Sequence, residues 1–229
     1  MKKEIKNKNT INFDEHSSNY VEKILKSFGS IDNNLNYYHL GKVKIAKREL
    51  SLNPKKILDF GCGVGSMLKF LKEDFRKSKF YAYDESSKSL EQLKKNYPDV
   101  NCLSNLDTNE RFDLILISNV IHHVKSDQRN FFFEKIYKLL DVSGELLIFE
   151  HNPYNPITLK IVANCEFDAD AELINKKNLI KLCYKNNFKL QKSGYIHFFP
   201  STFKYFFKFE KYLKWFFLGA QYFCIFKKN

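Results

Sequence analysis

The chain of 229 residues has five cysteines, Cys62, Cys102, Cys165, Cys183 and Cys224, scattered and odd in number, with no CxxC pair among them. That excludes a disulfide framework and a zinc or redox motif of recognisable spacing, and fits free thiols in a reducing compartment. No apolar run approaches the roughly 18 residues that a membrane span requires. The start, "MKKEIKNKNT", lacks the apolar core of a secretory signal, so a cytoplasmic location is expected. No internal repeat is visible. Acid is also scarce in the last quarter, where twelve lysines face a single acid, Glu210, between Lys176 and Asn229.

What is present is an ordinary globular composition, with 44% hydrophobic and 28% charged residues and a net charge of +12. Apolar strand-like runs alternate with helix-like stretches, the pattern of a parallel sheet flanked by helices. The strands are "KILDF", "KFYAYD", "VNCLS", "FDLILIS", "GELLIFE", "KLQKSGYIHFF" and "AQYFCIFKK". The helices include "SMLKFLKEDF", a segment capped by Ser86 and stopped at Pro98, and one capped by Asp127. Residues 13–50 read as helical cover. A single domain is expected, with cover over residues 1–54, a cofactor-binding core over 55–150 and acceptor-side elements with the last two strands over 151–229.

The chemistry begins at "ILDFGCGVGS", where a strand ends on Asp59 and Gly61, Gly63 and Gly65 follow at alternate positions. Glycines permit a sharp turn and close approach to a ligand, while the next helix offers free N–H groups. A dinucleotide turn has G-x-G-x-x-G spacing, but here the sixth position is Ser66. A carboxylate at Asp59 repels a pyrophosphate and attracts a cation, which favours S-adenosylmethionine with its ammonium and sulfonium. Asp84, ending the second strand, has the position of an acid that accepts ribose hydroxyls.

"ILDFGCGVGSMLKFL", "YAYDES", "FDLILISNVIHHV" and "SGELLIFEHNP", in this order, resemble the successive motifs of class I S-adenosylmethionine-dependent methyltransferases over residues 55–150. The resemblance implies a Rossmann-like, mostly parallel sheet of seven strands with helices on both faces and an antiparallel last strand. It implies S-adenosyl-L-methionine as cofactor, held by Asp59, Gly61, Gly63, Gly65, Asp84 and Asn119. An acid that many relatives place after strand three is absent from "CLSNLDTNE", leaving Ser104, Asn105 or Asp107 for the adenine.

Methyl transfer from a sulfonium requires positioning of the acceptor, and a base only where the nucleophile arrives protonated. Acceptor residues belong at the carboxyl ends of strands four, five and six. There stand His122 and His123, of which one is expected to face the cleft, with His123 ranked first, and Glu150 and His151, a candidate base and its orienter. These histidines and acids have no recognisable metal spacing, and no metal is expected.

The Asn/Asp-Pro-Pro-aromatic sequence that favours an amino acceptor is absent after strand four, which weakens a nucleic-acid-modifying reading. "EHNPYNPITLK" resembles a bacterial subgroup that accompanies genes for surface polysaccharides or other secondary products. The expectation is methylation, most plausibly at oxygen, of a small molecule or glycan, lipid-linked acceptors included. A nucleic-acid methyltransferase and an inactive cofactor-binding module are the rivals. Residues 200–219 read as one amphipathic helix with Lys204, Lys208, Lys211 and Lys214 opposite an aromatic face, over the acceptor cleft and suited to peripheral membrane contact. Oligomeric state is not legible.

Overall fold

The computed structural model describes residues 20–29 and 31–229, so the first part of the expected helical cover lies outside the described residues. Two helices, α1 (Tyr20–Phe28) and α2 (Leu35–Glu49), precede the sheet. Then come β1 (Lys56–Phe60), α3 (Leu68–Asp74), β2 (Lys79–Tyr83), α4 (Ser87–Asn96), β3 (Asn101–Cys102), β4 (Phe112–Ser118), α5 (Arg129–Leu139) and β5 (Leu140–His151). The chain continues through α6 (Pro156–Asn164), α7 (Lys176–Lys185), β6 (Phe188–Ile196), α8 (Glu210–Leu213) and β7 (Gln221–Lys228). No helix among the described residues is long and apolar enough to cross a membrane.

The seven strands form one sheet in the order β3-β2-β1-β4-β5-β7-β6. β7 runs antiparallel to both β5 and β6, so β6 points the same way as β1 to β5. This is the expected doubly covered α/β sheet with an antiparallel last strand.

The central strands are continuous apolar runs because both sheet faces are covered. Side chains alternate across the sheet. Leu58, Ile115, Ile117 and Ile148 pack with Phe133, Ile136, Leu179 and Cys183 of α5 and α7. Ile57, Leu114, Leu116 and Leu147 pack on the other face with Val43, Leu68, Leu71 and Leu93 of α2, α3 and α4.

Between β1 and α3 the glycine turn has left-handed backbone at Gly61 (φ 72°) and Gly63 (φ 53°). A Cβ on Gly61 would stand 2.3 Å from Val120 Cγ2, so the residue is fixed by space as well as by conformation. The Ser86 hydroxyl accepts the Ser89 N–H, making the expected cap of α4. The expected Asp127 cap is not made: α5 begins at Arg129 after Gln128, with no side-chain cap. Arg129 instead turns back, donating to the carbonyls of Val124 (2.9 Å) and Glu172 (2.5 Å).

The single helix expected over residues 200–219 is not formed. Ser201–Phe209 is 3₁₀ helix broken at Phe203, and α8 is one turn long. Acids dictate this path. Asp32 accepts the backbone N–H (2.6 Å) and the hydroxyl of Ser201. Buried Glu210 turns inward to accept the N–H groups of His197 (3.0 Å) and Phe198 (2.8 Å). Lys214 leaves the expected lysine stripe to pair with Glu49 at 2.8 Å.

Replacing Glu210 by Ala is expected to cost about 1–3 kcal/mol in urea unfolding, because buried donors lose their acceptor. Glu210→Gln, which keeps an acceptor oxygen, is expected to lose less.

Candidate functional site

The carboxyl ends of β1, β4 and β5 open on a cavity of about 220 Å³, roofed by α1, α2, α6 and the segment that follows β6. On the β1 side it is lined by Asp59, Gly61, Cys62 and Ser66. Asp59 is 3% exposed. Burial, reinforced by the charge of Asp84, pushes its carboxyl up to about 7. Asp84 does not line the cavity. Its carboxylate accepts the N–H of Gly63 (2.7 Å) and of Ser86 (2.9 Å), joining the glycine turn to the end of β2. Ser104 and Asn105 are exposed and do not line the cavity; Asn105 caps a local turn by accepting the Asp107 N–H at 3.0 Å.

Lys42 of α2 enters this end of the cavity. It is 3% exposed, and its Nζ donates to the Ser118 hydroxyl at 2.9 Å. Burial pulls it down to about 8 against the attraction of Glu150 and Asp59, neither of which forms an ion pair with it. It is therefore a buried cation without a carboxylate in contact among the described residues. Sequence reasoning left Lys42 within the helical cover; a lone lysine in a lysine-rich chain gives no signal of burial.

Asn119 follows β4 with left-handed backbone (φ 58°) and lines the cavity. After it the chain makes a 3₁₀ turn, Ile121–His123, whose backbone is gripped from β5. Glu150 Oε1 accepts the N–H groups of Val120 (3.0 Å) and Ile121 (2.7 Å), while Oε2 stands 2.7 Å from His122 Nδ1. The other ring nitrogen of His122 stands 3.2 Å from Asp168 Oδ1.

Burial alone would strip the proton from His122, but the two carboxylates outweigh it and hold the imidazole up at about 9. The same charge holds Glu150 down at about 2 despite its burial. Glu150 thus pairs with His122 and not, as a base and orienter would, with its neighbour His151.

Both His122 and His123 line the cavity, where one of the two was expected, because the tight turn sets their rings 4.1 Å apart. His123 Nε2 is 3.5 Å from Asp168. The His151 ring lies 5.1 Å from that of His122, its Nδ1 3.4 Å from the amide nitrogen of Gln221. Burial and the charge of His122 hold His123 and His151 at about 4, so both are neutral near pH 7. Asp168, which completes the cluster, arrives from the segment after α6, 46 residues along the chain from His122.

A nucleoside-sized cleft at the carboxyl ends of a doubly covered parallel sheet, with a glycine turn and an acid closing the second strand, defines a nucleoside-cofactor enzyme of the α/β class. Residues 58–146 match the family model described as a methyltransferase domain, and this part of the chain carries the fold and motifs of the class I S-adenosylmethionine-dependent methyltransferases. S-adenosylmethionine is accordingly its cofactor and methyl transfer its activity.

Among solved structures, a TehB-like S-adenosylmethionine-dependent methyltransferase from Corynebacterium glutamicum superposes with a TM-score of 0.63, at 17% identity, covering 94% of this chain and 99% of that one. A possible histamine N-methyltransferase from Thermotoga maritima gives 0.68 at 17% identity, covering 95% and 98%. The mitomycin 7-O-methyltransferase MmcR gives 0.68 at 12% identity, covering 96% of this chain and 62% of that longer one. No curated protein matches in sequence.

The cluster makes a measurable prediction. The His122 ring resonances should titrate with a midpoint near 9, while His123 and His151 stay neutral down to about 4. Because the folded value of His122 lies above its ordinary 6.5 and that of Glu150 below its ordinary 4.5, the ion pair stabilises fully between about pH 4.5 and 6.5, and that contribution is lost as pH rises through about 9 or falls toward about 2. Glu150→Gln should lower the midpoint and cost about 3 kcal/mol at the low end of that window. It should cost progressively less above it.

Proposed function

We propose that the protein transfers the methyl group of S-adenosylmethionine to a hydroxyl oxygen of a small organic acceptor, with sugars and lipid-linked sugars the preferred class. In this reading Asp84 accepts the ribose hydroxyls and the glycine turn admits the nucleoside. At the methionine end, Asp59 faces the ammonium and Lys42 the carboxylate, which gives that buried cation its missing counter-charge. Asn119 and the β4 end complete the wall between cofactor and acceptor.

The observation that carries the choice of oxygen is His122. Its Nδ1 is fixed by Glu150, its Nε2 stands beside Asp168, and the residue lines the cavity. A neutral amine attacks a sulfonium without a base, whereas a hydroxyl must lose its proton in or after the transfer. An oriented, carboxylate-backed imidazole at the acceptor end is suited to take it. In the resting arrangement His122 is protonated, so the group becomes a base only once that proton has left. Activity therefore rises with pH toward about 9. The named activity of MmcR, a 7-O-methyltransferase of the same fold, supports oxygen; that of the Thermotoga protein, a possible N-methyltransferase, makes the acceptor atom a matter for experiment.

Two measurements test the reading. S-adenosylmethionine or its demethylated product at about 100 times its dissociation constant should stabilise the protein by roughly 2.7 kcal/mol, and NAD should not; a shift with NAD alone would overturn the cofactor assignment. With an acceptor in hand, His122→Asn should lower kcat by about 100-fold or more while cofactor affinity holds. An unchanged kcat in the variant would remove His122 from the chemistry.

A further inference from the structure

The segment that follows β6 leaves an unusual surface. Phe203, Tyr205, Phe206, Phe209, Tyr212 and Trp215 are each between 46% and 78% exposed. No residue of Ser201–Phe209 is buried. Single exposed apolar residues are ordinary, but six large aromatics within thirteen positions form a patch of the kind that marks an interaction site.

Its charge has one sign. The acid within it, Glu210, is 4% exposed and bonded inward to backbone N–H groups, so it contributes nothing to the outer face. Lys204, Lys208 and Lys211 lie 5.7, 5.3 and 4.8 Å from the ring centres of Tyr205, Phe209 and Tyr212. Cations are thus interleaved with aromatic rings rather than gathered on an opposite face. Two of these pairs lie in the 3₁₀ stretch, whose three-residue turn breaks the separation a regular α-helix would have made, and the third lies in α8.

The patch borders the cavity. His197, Phe198, Phe199 and Pro200 line it, and the Phe206 ring lies 5.5 Å from that of Phe199. On the far side, Asn152 and Asn155 donate to the carbonyls of Phe217 (2.7 Å) and Leu218 (2.6 Å). These bonds bring exposed Tyr154 and half-exposed Ile157, itself a cavity residue, to the same rim.

We infer that this rim docks on an anionic lipid surface and that the acceptor enters the cavity from it. Amphipathic aromatics suit the headgroup level of a bilayer, and neighbouring lysines are drawn to anionic lipid. A rim whose exposed charges are lysines and whose one acid, Glu210, is turned inward suits an anionic rather than a basic partner. The inference rests on the methyltransferase reading only for the acceptor class; the docking itself stands on the surface.

Trp215 is the only tryptophan in the chain and is 77% exposed, so it reports on the rim directly. The test is co-sedimentation of the full chain with phosphatidylglycerol-containing vesicles and with phosphatidylcholine vesicles, at low and high salt, together with Trp215 emission. Docking predicts sedimentation with the anionic vesicles alone, weakened by salt, and a blue shift of Trp215. The triple variant Lys204→Gln, Lys208→Gln, Lys211→Gln should weaken vesicle binding by about tenfold or more. Tyr205→Ser should weaken it independently of charge.

Neither variant should alter binding of S-adenosylhomocysteine, so loss of cofactor binding and loss of docking are separate results. Failure to sediment with anionic vesicles at low salt overturns the inference. So does sedimentation with unchanged Trp215 emission, which assigns binding to another face, or a concentration-dependent Trp215 shift without vesicles, which assigns the rim to a second copy of the chain.

Discussion

The carboxylate of Glu150 is fully buried at the end of a central strand, where a charge is admissible only if its surroundings satisfy it. One oxygen takes two backbone N–H groups from the turn after β4, and the other takes the ring of His122. A single side chain therefore joins the ends of β4 and β5 and determines the protonation of the nearest imidazole. Through His122 it reaches Asp168, and with it the segment after α6 that closes the acceptor side. The charge on His122 then keeps its two neighbours, His123 and His151, neutral. Four further ionisable residues, His122, Asp168, His123 and His151, are thus tied to one buried anion. Without it the N–H groups of Val120 and Ile121 would lose their acceptor, and the cavity wall that the turn forms would lose its shape.

The roof obeys the same principle with other residues. Asp32, Glu49 and Glu210 hold the segment after β6 at its beginning, end and middle by accepting from Ser201, Lys214 and the backbone of His197 and Phe198. Side chains with a large apolar area are left outside while acids point inward, the reverse of an ordinary surface. Burial of the acids is tolerable because each finds N–H, O–H or ammonium donors. Exposure of the aromatics follows, because the chain between the anchors is too short and too tightly turned to bring them onto the domain.

The seven strands and the glycine turn were legible because each rests on local pattern, an apolar run buried on both faces or a glycine where φ is positive; the antiparallel last strand came from the family resemblance alone. Asp59, His122, His123, His151 and Asn119 meet in one cavity because the strands that end in them lie side by side. What the sequence did not disclose depends on distance along the chain. Lys42 looks like one surface lysine among many until α2 is laid across the sheet. The partnership of Glu150 with His122 rather than with adjacent His151 follows from strand alternation and from the turn, neither of which appears in a linear motif. The error over residues 200–219 has the same origin: periodicity described a helix, and two remote acids, Asp32 and Glu49, with Glu210 turned inward, imposed another path. The Asp127 cap was also misread: α5 begins two residues later, and Arg129 bonds the carbonyls of Val124 before it and Glu172 after it.

The pairing of Ile196 with Gln221 closes the β6–β7 hairpin at the cavity end of the sheet. Everything between those two residues is one excursion that departs from and returns to the same register. Loop-closure entropy grows slowly with length, so such an excursion can lengthen, shorten or change composition with little effect on the strands beneath it. The sheet, the glycine turn and the Glu150 network lie outside it. Variation confined to this one connection would alter His197, Phe198, Phe199 and Pro200 on the cavity wall while the strands and the buried network beneath it descend unchanged.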